Sequence, residues 1–186
     1  MKSLGLLLIS TLIFSTSCFN YKSLFVKADY SYKGDFTNYK SYYLMNSVQH
    51  NDTVDQTKST LEDLIKYQME LHGYEPKESE PNLLVQYHIF KENIKLRGYD
   101  QPELMYWLNT QREGEYDPIT LKLPEGTLII QLIDTKQDQI IWQGYASGFL
   151  NRGTSLYDPR DLKRAVFLIF DNYRTFAKDY IVEGAE

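Results

Sequence analysis

The chain has 186 residues, of which 42% are hydrophobic, 24% charged and 15% aromatic, enough apolar material to bury the core of one domain. Only 10 Gly and 6 Pro, and no long polar tract, exclude collagen-like and intrinsically disordered classes. The formal net charge is −5 and no Lys/Arg-rich stripe stands out, so the footprint of a nucleic-acid binder is missing and no nucleic acid is expected as a partner.

Met1-Lys2-Ser3 gives a short basic start, Leu4 to Phe14 is a nearly unbroken apolar run, and Ser15-Thr16-Ser17 are small residues before Cys18. This is the layout of a secretory signal. The run falls short of the roughly 20 residues that a bilayer span needs. Cys18 is the only cysteine, which excludes an internal disulfide. Small residues ahead of a cysteine at the end of a signal resemble a bacterial lipobox, although Ser15 stands where Leu is commoner. The resemblance implies cleavage of residues 1–17 and acylation of Cys18 as the new N-terminus. Losing Lys2 leaves 25 acidic against 19 basic groups, a charge of −6, so attraction to anionic lipid would not hold the protein. Acyl chains on Cys18 would, at about 0.8 kcal/mol per buried CH₂. Residues 18–23 then comprise the lipidated Cys18 and a short tether, and the roughly seven residues between Cys18 and Val26 reach about 25 Å. Phe19 lacks the acidic character associated with inner-membrane retention, which points to a lipoprotein of the outer membrane.

A single domain is expected over 24–180, with 181–186 as a tail, because no repeat or Ser/Pro/Gly-rich linker divides the chain. Leu24 to Tyr32 alternates as a strand, and Lys40 to Met45 is a second. Asn51-Asp52-Thr53 caps a helix whose apolar positions run from Val54 to Leu71 at helical spacing, with Gly73 as its stop. Asn82 to Glu92 is a half-buried strand with Leu83, Val85, Tyr87 and Ile89 on one face. Thr127 to Asp134 and Gln139 to Leu150 form an antiparallel hairpin. Asp158-Pro159 opens a terminal helix whose buried stripe is Leu162, Ala165, Val166, Ile169, Tyr173 and Phe176. The economical packing is an α+β two-layer sandwich, a mixed sheet of about five strands with two helices on one face.

The connection 93–123 fits this scheme least, and connections of that length are usually functional or disordered. It carries Tyr99, Tyr106, Trp107 and Tyr116, the candidate partner-binding residues, and Glu103 to Thr110 has the makings of a short helix. By contrast, Tyr42, Tyr87 and Trp142 are expected to pack the sheet.

Little in the chain signals chemistry. His50, His72 and His88 are isolated and no second cysteine exists, so no metal or other cofactor is expected. His72 beside Gly73 suits the C-terminal dipole of the first helix. Ser147 lacks a nucleophile elbow. Asp29, Asp35, Glu92 and Asp134 adjoin strands, where a carboxylate cleft would have to form; Asp35 and Asp134 more simply serve loops and turns.

Val26-Lys27-Ala28-Asp29-Tyr30, Asp35 to Tyr42, His72-Gly73-Tyr74, Leu83 to His88, Glu125 to Ile130 and Ile141 to Gly148 occur in an order that resembles a bacterial lipoprotein family, domain of unknown function 4136. The blocks span nearly the whole mature chain. The sequence departs at Gln131, where the family often has Asp, and at Gln143, where it often has Arg. The resemblance implies an envelope lipoprotein with an α+β domain and no reaction to carry over. The reading is a non-enzymatic, lipid-anchored envelope module contacting the membrane through Cys18 and another envelope protein or glycan through the aromatic connection. The alternative is a glycan binder or hydrolase with a carboxylate and aromatic cleft.

Overall fold

The computed structural model describes residues 24–45, 55–99, 118–148 and 158–180. In chain order these form β1 (Phe25–Tyr30), β2 (Ser41–Leu44), α1 (Asp55–Leu71), β3 (Glu75–Pro76), β4 (Leu83–Phe90), β5 (Ile94–Tyr99), β6 (Pro118–Leu123), β7 (Thr127–Asp134), β8 (Gln139–Ser147) and α2 (Pro159–Asp171). The main sheet has six strands in the order β1-β8-β7-β4-β2-β3, and β5 pairs with β6 in a separate two-stranded sheet. The architecture is α+β as expected, with a larger sheet than five strands. The additions have physical reasons. β3 is two residues long and too short for any periodicity, while β5 and β6 alternate apolar with charged residues over only a few positions, and their apolar side packs on Ile129 and Tyr145 away from the helix-covered core.

β7 and β8 are antiparallel, as are β4 with β7 and β1 with β8; β2 runs parallel to β3 and β4. The parallel pairs require α1 to carry the chain back from the end of β2 to the start of β3. Asn82 fixes the start of β2 against β4, its Oδ1 accepting from Lys40 N at 2.9 Å and Ser41 N at 3.2 Å.

Both helices lie on one face of the sheet. Leu83, Val85, Tyr87, Leu128, Ile130, Leu132 and Trp142 meet Leu61, Ile65 and Met69 of α1 and Leu162, Val166, Ile169 and Phe170 of α2 in one cluster. Tyr42, Tyr87 and Trp142 are fully buried there, as the sequence led us to expect. The register between β7 and β8 shifts at Leu132/Ile133, so that both Ile141 and Trp142 are buried while Ile140 is exposed. α2 seats closely: a Cβ at Gly144 would lie 2.5 Å from Ile169 Cγ2.

The predicted helix signals sit where they were read, with two corrections. Asp158 accepts from Arg160 N at 2.8 Å with Pro159 in the first turn, and Gly73 takes φ +80° at the end of α1. The cap at Asn51 to Thr53 lies outside the described residues. α2 ends at Asp171, so Phe176 does not extend its buried stripe; it lies beyond the helix and is exposed. His72 does not serve the helix dipole, because its Nδ1 reaches the Thr175 carbonyl at 2.9 Å and ties the end of α1 to the segment after α2.

Candidate functional site

The two ends of the sheet differ, and the difference locates the site. Phe25 pairs with Ser147, Ser147 with Thr127, and Thr127 with Phe90, which places the beginning of β1 at one end. At the other end lie the starts of β2 and β3, the β7–β8 turn and the last turn of α1. The segment after α2 folds back onto this second end. Ala177 N donates to the His72 carbonyl at 2.9 Å and Lys178 N to the Tyr39 carbonyl at 2.8 Å.

Here the helix seam opens into a groove of about 490 Å³ lined by Gln68, Leu71, His72, Phe167, Phe170, Asp171, Tyr173, Arg174 and Phe176. The apolar side chains around it are not all covered: Tyr67, Leu71, Phe167, Phe176 and Tyr180 are each at least a third exposed. Their rings are arranged in pairs. Tyr67 and Phe167 lie 6.1 Å apart, Phe176 stacks on Tyr180 at 5.8 Å, and His72 stacks on Phe176 at 5.2 Å. Lys163 Nζ stands 5.6 Å over the Phe167 ring. Burial lowers the pKa of His72, against the opposing pull of the Thr175 carbonyl, so the ring is neutral at pH 7. A carbonyl only accepts, so Nδ1 carries the proton and Nε2 is an acceptor.

The helix-free face of the sheet has another polar array. Gln86 Nε2 donates to Gln131 Oε1 at 3.2 Å, Gln131 Nε2 to Gln143 Oε1 at 3.3 Å, and Gln143 Nε2 to Asp29 Oδ2 at 3.5 Å. Gln131 and Gln143 are direct cross-strand partners on β7 and β8, so the two positions noted in the sequence lie side by side as a neutral amide pair. Beside this row, Ile94, Leu96, Leu121 and Leu123 of the small sheet cover Ile129 and Tyr145. Burial and then the Asp29 charge raise the pKa of Tyr145, which stays a neutral phenol.

The carboxylates do not converge. Asp29 faces the helix-free side, whereas Asp134 is buried on the helix side and accepts from Tyr39 Oη at 2.6 Å, Lys136 N at 2.7 Å and Gln137 N at 3.1 Å. Asp35 accepts from Asn38 Nδ2 at 2.8 Å, a loop role of the kind the sequence suggested. Glu92 is exposed in the turn after β4, and among the described residues no group of three or more His, Cys, Asp and Glu side chains is placed to hold a metal. Nor is any helix among them long and apolar enough to cross a membrane.

Of the aromatic candidates, Tyr99 ends β5 opposite Pro118, and Tyr106, Trp107 and Tyr116 lie outside the described residues, as does Cys18. Sequence reasoning missed the groove because its members come from two helices and a tail distant in the chain. One signal was available. Tyr67 and Leu71, four residues apart, are apolar on the otherwise polar exposed face of α1.

The family described as Domain of unknown function (DUF4136) matches residues 26–173. Among solved structures, a DUF4136 family protein from Bacteroides thetaiotaomicron aligns with TM-score 0.55 and 16% identity, over 81% of this chain and 95% of that one. A PDZ domain protein from Parabacteroides distasonis aligns with TM-score 0.50 and 16% identity, over 82% of this chain and 36% of the other. These likenesses establish the fold alone. No curated protein matches the chain.

Proposed function

The chain belongs to the DUF4136 family, and we propose that it is a lipid-anchored protein of the bacterial cell envelope, in the outer membrane, acting as a non-enzymatic binding module. The anchor reading rests on the sequence from Met1 to Cys18. The binding reading rests on one observation, the continuous exposed aromatic surface around the groove at the ends of α1 and α2. Exposed apolar patches rimmed by polar groups are characteristic of protein contact sites, and Tyr, Phe and Arg are enriched in them. A hydrolase reading has less support, since Asp29 and Asp134 sit on opposite faces and cannot act as a pair.

The test has two parts on protein taken from native membranes. Intact mass should correspond to residues 18–186 plus acyl groups on Cys18; an unmodified thiol or a retained leader would overturn the anchor. A photo-crosslinking residue at Tyr67 should capture one dominant envelope protein, and Phe167→Ser with Phe176→Ser should abolish that capture while the domain stays folded. Persistence of the cross-link in the double variant would overturn the binding reading for this surface. Tyr99, Tyr106, Trp107 and Tyr116 are proposed as a second contact. Removing all of 93–123 is a poor probe of it, because Ile94, Leu96, Leu121 and Leu123 would no longer cover Ile129 and Tyr145. Single substitutions of the four aromatics are cleaner.

A further inference from the structure

We propose that the outer face of the β5–β6 ribbon, carrying Lys95, Arg97 and Lys122, rests on the anionic headgroups of the bilayer in which Cys18 is anchored. This rests on the anchor reading above, which supplies the tether; the basic face supplies the orientation.

The ribbon is a continuation of the main sheet. Phe90 pairs with Thr127 at the end of β4–β7, and Ile94 pairs with Leu123 in the same register, so one long hairpin runs from the Leu83–Asp134 pair to the Tyr99–Pro118 pair. It bends at residues 91–93 and 124–126, where Gly126 takes φ +73° and Glu125 N donates to Asn93 Oδ1 at 3.0 Å. The bend lies at the end of the main sheet where β1 begins. Ile94, Leu96, Leu121 and Leu123 turn back onto Ile129 and Tyr145, so the hairpin curls toward the helix-free face. Side chains alternate along a strand, and Lys95, Arg97, Thr120 and Lys122 therefore lie on the outside of the curl, where all four are exposed.

The charge on this outer face is uncompensated. Lys95 and Lys122 are direct cross-strand partners, and Arg97, opposite Thr120, follows on the same side. Like charges directly opposite one another destabilise a strand pair. None of the three forms an ion pair with any described residue, whereas Lys40 is paired with Asp179, Lys58 with Glu62 and Arg160 with Asp158. The whole chain has an excess of acid, at −5, yet β5 and β6 hold three bases and no acid.

Position identifies the occupant. The roughly seven residues between Cys18 and Val26 keep the start of β1, and with it the bend, within about 25 Å of an acylated N-terminus. Each Lys or Arg close to an anionic membrane surface strengthens attraction about fivefold, but only within a Debye length of about 10 Å. The net negative charge explains why such attraction does not hold the protein by itself. Once the acyl chains bring this end into range, three clustered bases suffice to turn the ribbon toward the headgroups. A soluble polyanion would gain nothing from their place beside the tether.

The test uses the full mature, acylated protein in vesicles of phosphatidylcholine with or without phosphatidylglycerol, each carrying a headgroup quencher. An acylated Cys18 has no free thiol, so a fluorophore at Thr120→Cys reports on the outer face alone. Its quenching should be at least about twofold stronger with phosphatidylglycerol, and the difference should vanish at roughly 1 M NaCl, where the Debye length is about 3 Å. Lys95→Gln with Arg97→Gln and Lys122→Gln should remove the difference while the domain stays folded. Lys122→Glu sets a carboxylate opposite Lys95, so it should raise the thermal midpoint and still diminish the phosphatidylglycerol-dependent quenching, a combination that a purely structural role for Lys122 would not give. Equal quenching in the two kinds of vesicle, or a difference that survives the triple substitution, overturns this inference. Flotation with phosphatidylcholine vesicles reports the acyl chains alone. Failure to float overturns the anchor and this inference with it, whereas flotation with equal quenching leaves the anchor standing and only this inference falls.

Discussion

Tyr39 and Tyr42 are three residues apart and both buried, yet their hydroxyls have opposite circumstances. Tyr39 Oη donates to Asp134 at 2.6 Å and accepts from Asp35 N at 2.9 Å, joining the loop before β2 to the end of β7. Burial first, and then the bond to Asp134, hold its pKa well above the ordinary phenol value. Tyr42 Oη is buried without a hydrogen bond among the described residues, and burial with the Glu70 charge pushes its pKa up to about 12. Tyr39→Phe should therefore cost about 1–3 kcal/mol in urea unfolding, while Tyr42→Phe should be neutral or stabilising; equal losses would contradict the assigned partners. His72 gives a pH dependence of definite sign. Its folded pKa is depressed by burial, so the unfolded chain binds the proton more readily. The neutral ring's contribution is complete above the unfolded value near 6.5 and is lost as pH falls through the lower folded value. His72→Gln keeps a donor for the Thr175 carbonyl but cannot titrate, and its unfolding midpoint should fall less than that of the natural chain between pH 7 and pH 5. Parallel pH profiles would show that the ring is already accessible to protons.

At the scale of elements, the closeness of α2 to the sheet is a consequence of Gly144 in the middle of β8. Adding a Cβ there meets Ile169 Cγ2 at 2.5 Å and the Trp142 ring at 2.6 Å, both in the core, so the helix must shift. Gly144→Ala should destabilise by about 1–3 kcal/mol as overpacking, and a change below 0.5 kcal/mol would mean that the helix slides freely on the sheet. Elements with strong periodicity or explicit punctuation were legible in the sequence: the alternation of Leu83, Val85 and Tyr87, the turn between Asp134 and Gln139, the Asp158-Pro159 start and the Gly73 stop. What was not legible depended on tertiary contact. β5 and β6 are short amphipathic strands whose apolar face acquires meaning only against Ile129 and Tyr145. The shift that buries both Ile141 and Trp142 breaks alternation locally, and no turn residue announces it. The groove is less legible still, because Gln68 and Arg174 are ordinary surface residue types until burial of the first and the open rim around the second are seen.

For the whole molecule, the antiparallel register places the beginning of β1 and the aromatic groove at opposite ends of the sheet. An eight-residue strand such as β4 spans about 26 Å at roughly 3.3 Å per residue. If Cys18 is acylated as proposed, the short chain before β1 holds that end against the bilayer and presents the groove away from it. The geometry then suits capture of a partner in the space beyond the membrane surface, and it opposes a role for the exposed rings in lipid contact. Thiol-reactive fluorophores distinguish the two, since an acylated Cys18 would not compete for label. In vesicles carrying a headgroup quencher, a label at Lys27→Cys on β1 should be strongly quenched, and one at Glu70→Cys in the last turn of α1 should be nearly unaffected. Stronger quenching at Glu70→Cys would place Tyr67, Phe167 and Phe176 at the lipid interface and turn the proposed partner surface into a membrane contact.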